Sequence, residues 1–390
     1  MEPNTDPNQS TNLPASSPPT PPATKPPDSS QPSGASKLPN QDKLRWLKAH
    51  RKVIAMVAAG VIVVGGIGGV LAYKHFHHPK KVAVTKTVAA PIVPPKPIVS
   101  PLTGLPVTAA VAAQPVFGVV IENSPEARPQ SGLSQAGVVY EALAEGGITR
   151  HLAVFQDQQP TKLGPVRSLR PYFIDWIQEY NNAPIAHAGG SSMAIAEVPQ
   201  LNVKSMNGLN YGSSFTRASD RFAPHNLYTT SAALLALAQR LNYTTAPSFT
   251  PWPRQADTPE ATPTHPTITI TYSYALFTAR YNFEAASDSY LRVLAGAPAI
   301  DRNSGAQIKV KNVVAIYMPT TYDSAGHALM TTIGTGKAIV FRDGGATVGT
   351  WKKTARTSRI EFLDAAGAPI PLNAGNTWVS VIPPTGSVAY

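Results

Sequence analysis

Residues 137–156 read GVVYEALAEGGITRHLAVFQ. Two apolar runs, Gly137 to Ala144 and Ile148 to Gln156, flank Glu145-Gly146-Gly147, and a glycine pair between two such runs marks a β-hairpin turn. Upstream, Val116 to Glu122 is a short valine-rich run of the kind that forms a buried strand. Downstream, Ser168 is a candidate N-cap for a helix ending near Tyr180, with Phe173, Trp176, Ile177 and Tyr180 on one face. Ala183 to Ala188 reads as a further strand closed by Gly189-Gly190. Thr230 to Leu241 reads as an Ala/Leu-rich amphipathic helix. Residues 101–245 are therefore expected to be an α+β domain.

The pattern changes past Tyr243. Residues 244–266 carry six prolines and no periodicity, so 246–266 reads as a linker or long loop. Beyond it the strand-like segments are Thr267 to Tyr274, Ala279 to Ala285, Tyr290 to Leu294, Val313 to Met318, Gly336 to Phe341, Thr347 to Trp351 and Thr377 to Ile382. Residues 267–390 are expected to be mainly β, which makes the whole an α+β fold in two parts.

The chain ahead of the fold has a different character. Residues 1–42 hold eleven prolines and almost no large apolar side chain. They cannot bury enough apolar surface to offset the entropy of ordering, so they read as a disordered tail. A basic segment, 43–52, follows. Val53 to Tyr73 then runs 21 residues without a charge; at ~1.5 Å per residue a helix of that length crosses a hydrocarbon core of ~30 Å. The denser basic cluster precedes the span, which favours a cytoplasmic N-terminus and an extracytoplasmic body. A cleaved signal peptide is the competing reading, against which stand the long leader and the absence of a small-residue cleavage site. Gly65 and Gly69 form a small-xxx-small pair that would suit a homodimer. Residues 74–100 are rich in proline and valine and suit an extended spacer.

The net charge of +11 follows this division. Residues 1–100 carry 12 Lys and Arg against 4 Asp and Glu, whereas 101–390 carry 21 against 18. The excess sits beside the apolar span, where it meets membrane lipid, and no dense basic face is left for nucleic acid.

Several residues of the first part could carry chemistry. Arg128, Gln130 and Ser131 lie in a polar stretch after a strand, where ligand sites collect, or where a loop is held by its own polar groups. Glu141 shares a strand face with Leu143, which is unusual for a solvated carboxylate. With Glu145 it could form an acid–base pair, or with Arg150 an ion pair that orders the sheet. Arg167 and Arg170, at a predicted helix start, make an anion site or pair with Glu141, Glu145 or Asp175. His187 and His225 could serve as bases beside Ser191 or Ser192, yet no G-x-S-x-G elbow is present. Asn226 follows His225 as a ligand contact. No metal-ligand spacing and no cofactor motif occurs. Lys352 and Lys353 beside Trp351 could touch a carbohydrate or an acidic partner, or form an exposed edge strand.

The stretches SPLTGLP (100–106), RPQSGLSQAGVVYEALAEGGITRHLAVFQ (128–156), GPVRSLRPYF (164–173), HAGGS (187–191) and APHNLY (223–228) resemble the YerB family of bacterial envelope lipoproteins. NVVAIYM (312–318), GTGKAIVF (334–341), GTWKK (349–353) and TWVSVIP (377–383) extend the resemblance more loosely over roughly 100–385. The resemblance implies two adjoining domains on the outer face of the cytoplasmic membrane. It also implies a place near peptidoglycan and penicillin-binding proteins. Family members use a lipidated cysteine; this chain has none, so a transmembrane helix would stand in its place. The resemblance carries no activity onto particular residues. Two readings remain open: a membrane-anchored binding or adaptor protein for wall polymer or wall-synthesis enzymes, and an envelope hydrolase or transferase acting on a wall glycan or another anionic substrate.

Overall fold

The strand and hairpin that the sequence marks are present as β1 (Phe117–Glu122), β2 (Val138–Glu145) and β3 (Ile148–Phe155). They lie antiparallel with β3 in the middle. The turn between β2 and β3 places Gly146 at φ 53° and Gly147 at φ 76°, a region glycine enters without a Cβ clash. The computed structural model describes residues 97–244 and 246–390, which fall in one compact unit. The tail 1–42, the basic segment 43–52, the span 53–73 with Gly65 and Gly69, and spacer residues 74–96 lie outside the described residues. Among the described residues no helix is long and apolar enough to cross a membrane.

Past the hairpin, β4 (Ile185–His187) and β5 (Ser205–Asn207) extend the sheet in parallel with β1, while β6 (Thr216–Arg217) and β7 (Leu227–Tyr228) form a small hairpin. The second part begins with β8 (Arg254–Gln255), then β9 (Thr267–Thr271), β10 (Thr278–Glu284), β11 (Ser289–Leu294), β12 (Ala297–Pro298) and β13 (Lys309–Val310). After β14 (Asn312–Tyr317) come the hairpin β15 (Thr320–Tyr322) and β16 (Ala328–Met330), then β17 (Gly334–Arg342), β18 (Gly345–Lys353) and β19 (Glu361–Leu363). The series closes with β20 (Leu372–Asn373), β21 (Thr377–Ile382) and β22 (Ser387–Ala389).

The main sheet has ten strands in the order β19-β18-β17-β14-β21-β2-β3-β1-β4-β5. The two parts of the chain therefore meet inside one sheet. β21 pairs in parallel with β14 on one side and with β2 on the other. A second sheet, ordered β12-β11-β10-β9-β22 with β13 on β11, alternates as a half-buried sheet should. Ile268, Ile270 and Tyr281 are fully buried, whereas Thr267 is exposed.

Four α-helices lie among the described residues: a single turn α1 (Ala109–Ala112), α2 (Pro171–Ile177), α3 (Ser192–Gln200) and α4 (Ser231–Arg240). α2 lies on the main sheet, with Trp176 stacked on Tyr140 at 5.0 Å. Ser168 does not cap it. Arg170 occupies the N-cap and Pro171 the first turn, because proline's fixed φ and missing N–H suit that position. Phe173, Trp176, Ile177 and Tyr180 are buried as expected. α4 starts as expected, with Thr230 Oγ1 accepting from Ala233 N at 3.0 Å. Residues 246–266 form a long loop anchored along its course: Trp252 is buried, donates to the Ile360 carbonyl at 2.7 Å, and is followed by β8 pairing with β20. One further expectation needs correcting: β18 is no edge strand, since β19 covers it. Lys353 is buried against Glu179 at 3.0 Å, and Lys352 alone of the pair is exposed.

Candidate functional site

Neighbouring residues of a strand point to opposite faces, and the register sorts the candidates accordingly. Glu141 pairs with His151 and Ser380, while Glu122 pairs with Arg150. Glu141 faces the second sheet and is fully buried. Its carboxylate accepts from Arg292 at 2.8 Å, Trp378 Nε1 at 3.0 Å, Thr149 at 2.8 Å and Asn123 at 3.2 Å. Burial alone would raise its pKa; Arg292, with His151 behind it, outweighs that and holds the carboxyl well below the usual range. Gln130 and Arg128 frame this network from the loop after β1. Gln130 donates to the Asn123 side chain at 2.8 Å, and Arg128 reaches the Leu276 carbonyl at 2.9 Å. These residues tie the second sheet to the first.

Glu145, Arg150 and Arg170 form a separate cluster. Arg150 donates to Glu145 at 2.5 Å and Arg170 grips the same carboxylate from the end of α2. Burial works to raise Glu145, but the two guanidinium groups hold it below the ordinary range. Of the sequence alternatives for Arg170, the ion pair with Glu145 is the one formed. Glu141 and Glu145 thus serve different cations rather than one shared substrate position. His187 is fully buried at the end of β4. Its Nδ1 donates to the Gly189 carbonyl at 2.7 Å and its Nε2 meets Ser205 Oγ at 2.7 Å. Burial lowers its pKa to about 4.

His225 has different surroundings, and they form a site. Segment 163–167 runs between the end of β1 and β7: Glu122 N donates to the Pro165 carbonyl at 2.9 Å, and Val166 N to the Leu227 carbonyl at 2.6 Å. This brings Arg167 and His225 to the carboxyl end of β1. Glu122 Oε1 accepts from Arg167 Nε at 3.0 Å, His225 Nδ1 at 2.9 Å and Ser124 Oγ at 2.8 Å, while its Oε2 is buried without a partner. The side chains of Arg167 and His225 keep 25% and 24% exposure, against 3% for Glu122. The buried carboxylate therefore orients the guanidinium and the imidazole, each of which keeps part of its surface in solvent. β4 and β5 end beside it, at His187 and Asn207, and crevices beyond the carboxyl ends of parallel strands are where ligands collect in open sheets. Asn226 holds the adjoining loop: it accepts from Arg217 at 2.8 Å and donates to the Ala218 and Arg221 carbonyls.

Such a site can hold an anionic group. Within it the Ser124 hydroxyl donates to Glu122 Oε1 at 2.8 Å and lies 3.3 Å from His225 Nδ1. Sequence reasoning named Arg167, His225 and Asn226 but missed Glu122 and Ser124 as partners; the available signal was a carboxylate closing an otherwise apolar strand. Among the described residues one acidic group, Asp257, Asp288 and Asp343, is close enough to surround a cation. Lys311 already bridges Asp257 and Asp288 at 2.6 Å each, and Asp343 accepts from Arg342, Gln255 and Thr258.

Comparison with known proteins agrees with the two-part layout. Residues 102–244 match the "Protein of unknown function (DUF3048) N-terminal domain" and residues 268–379 its C-terminal domain. The chain is 32% identical over 294 residues to "Putative lipoprotein YerB" of Bacillus subtilis (strain 168), covering 74% of this chain and 87% of that one. The crystal structure of the YerB protein from Bacillus subtilis superposes with a TM-score of 0.69 at 30% identity, over 75% of this chain and all of that one. The chain belongs to the YerB-like family built from the N- and C-terminal DUF3048 domains.

Proposed function

We propose that this protein is an envelope-located binding or adaptor protein whose crevice at Glu122, Arg167 and His225 holds an anionic group of wall polymer or of a wall-synthesis enzyme. The observation that carries the reading is the buried Glu122 carboxylate that orients the Arg167 guanidinium and the His225 imidazole, both partly exposed. An envelope location draws support from the relative named as a lipoprotein and from the charge-free run at 53–73. That run would hold the body outside the membrane, as one span with the N-terminus inside, and Gly65 and Gly69 would let two copies pair. A second reading, hydrolysis or group transfer on an anionic wall glycan, rests on His225: a carboxylate-oriented, partly exposed imidazole is the arrangement of a general base.

The test uses the full chain in detergent, sedimented with isolated wall polymer and, separately, with purified penicillin-binding proteins, at low and high salt. Removing a charge-assisted contact costs ~1.5–3 kcal/mol, so Arg167→Ala should weaken binding about tenfold or more and flatten its salt dependence. Undiminished binding by Arg167→Ala, or no enrichment of either target at low salt, overturns the reading. Turnover that disappears in His225→Asn while binding persists would select the second reading.

A further inference from the structure

A cleft of ≈ 800 Å³ opens where the two parts of the chain meet, on the β18–β19 side of the main sheet. Its walls are the turn after α2, the segment 248–253 that joins the parts, and residues 352–361. Lys352, which the sequence singles out and the crevice at Glu122 does not use, is on its rim.

The floor is organised by Arg359. Its guanidinium lies 3.7 Å from the Trp252 ring centroid and 4.2 Å from that of Tyr180, with Glu179 at 3.3 Å. Arg359 is 9% exposed and its Nε has no partner. A second unmet group is Asn182 Oδ1, whose amide nitrogen already donates to the Asn202 carbonyl at 2.9 Å. One donor and one acceptor of residues that line the cleft are thus buried without a partner, which is costly; the groups a ligand can reach are the exposed side chains of Asn181, Thr357 and Glu361. Phe249, half-buried and 5.1 Å from Tyr180, offers an apolar face beside them.

Charge narrows the ligand. The Glu179 carboxylate is met by Lys353 and Arg359. On the rim, exposed Lys352 is the cross-strand neighbour of exposed Glu361, so their charges offset. Thr357 and Asn181 add uncharged hydrogen-bonding groups. A polyanion gains little here. A proline-rich peptide would need a row of open aromatic faces, yet Trp252 is 4% and Tyr180 2% exposed, which leaves Phe249 alone of the three rings within reach. An aromatic face ringed by amide, hydroxyl and offset charges suits a ligand with an apolar ring face and many hydroxyl or acetamido groups. The volume lies within the range of a drug-sized ligand site, about 300–1,000 Å³.

We propose that this cleft is a carbohydrate subsite that binds an uncharged glycan strand, stacked on Phe249 and hydrogen-bonded by Asn181, Thr357 and Glu361. It stands independently of the anion crevice, with which it shares no residue.

The full chain in detergent would be titrated calorimetrically with chitotetraose, with maltotetraose, a proline-rich decapeptide and inorganic polyphosphate in parallel. Chitotetraose should bind, and Phe249→Ala and Glu361→Ala should each weaken it at least about fivefold, the loss of one stacking or charged contact of ~1 kcal/mol or more. Glu361 is exposed, so its variant keeps the test valid should Phe249→Ala fail to fold. Arg167→Ala should leave chitotetraose binding unchanged, which separates the failure of this subsite from failure of the crevice. Absence of binding to either sugar, wild-type affinity in both cleft variants, or tighter binding of the peptide or polyphosphate at this cleft would each overturn the proposal.

Discussion

His187 shows how one residue's surroundings set its chemistry. In sequence it is a histidine ahead of a Gly-Gly turn, with nothing to tell a base from a core residue. The fold buries it completely between Gly189 and Ser205 and favours its neutral form. Its folded pKa of about 4 lies below the ordinary 6.5. The stability it contributes is therefore present above pH ~6.5 and is lost as pH falls toward 4, amounting to at most ~3 kcal/mol. Urea midpoints measured between pH 7 and pH 4.5 should fall for the native chain, and His187→Gln should flatten that fall by ~1–2 kcal/mol. An identical fall in the variant would count against this account. Glu122 gives the opposite lesson. It looks like the end of a strand because the two partners that make it a hub, Arg167 and His225, lie 45 and 103 residues away in sequence. No local pattern carries that information.

At the scale of elements, the strands were legible because apolar runs bounded by glycine and proline leave few alternatives. β1, the β2–β3 hairpin and β21 fall within a residue or so of where the sequence puts them. α3 was missed, and the reason is visible in its surface. Met193 and Ile195 are exposed at 45% and 40%, and the core-facing stripe is only Ala194, Val198 and Leu201, so apolar residues fall on both faces and blur the helical pattern. Contacts between elements were the least legible. Glu141 announces itself as a carboxylate on an apolar face, but its partners Arg292 and Trp378 belong to β11 and β21 in the second part. Breaking a buried pair strands the remaining charge, so Glu141→Ala should cost ~3–5 kcal/mol in chemical denaturation. Replacing both partners, as Glu141→Leu with Arg292→Met, should recover most of it. A single-variant cost below ~1 kcal/mol would show that the pair does not join the sheets.

At the scale of the molecule, proline content and the switch from mixed to strand-like patterning pointed to two parts, and the family matches break at the same place. The sequence could not reveal that both parts share a sheet, since parallel pairing between strands more than two hundred residues apart leaves no local trace. This arrangement makes a specific demand on folding. Residues 97–250 produced alone would present β2 with one edge unpaired, and residues 251–390 alone would leave β21 in the same state. Neither fragment should show a cooperative thermal transition, whereas co-expression should restore one. An independently folding fragment, recognised by a dispersed amide spectrum, would contradict the shared-sheet reading.

The place of β21 also fixes an order in time. It is the last of the ten strands to be synthesised, yet it fills the middle of the sheet, between β14 and β2. The two halves of the sheet, β2-β3-β1-β4-β5 and β14-β17-β18-β19, cannot join without it, so while the chain is being made the seam stays open and its apolar edges must be kept from pairing with anything else. A sheet completed only by the last of its strands to be made cannot lock shut early. A chain of this design remains threadable through a narrow passage until its synthesis is almost done.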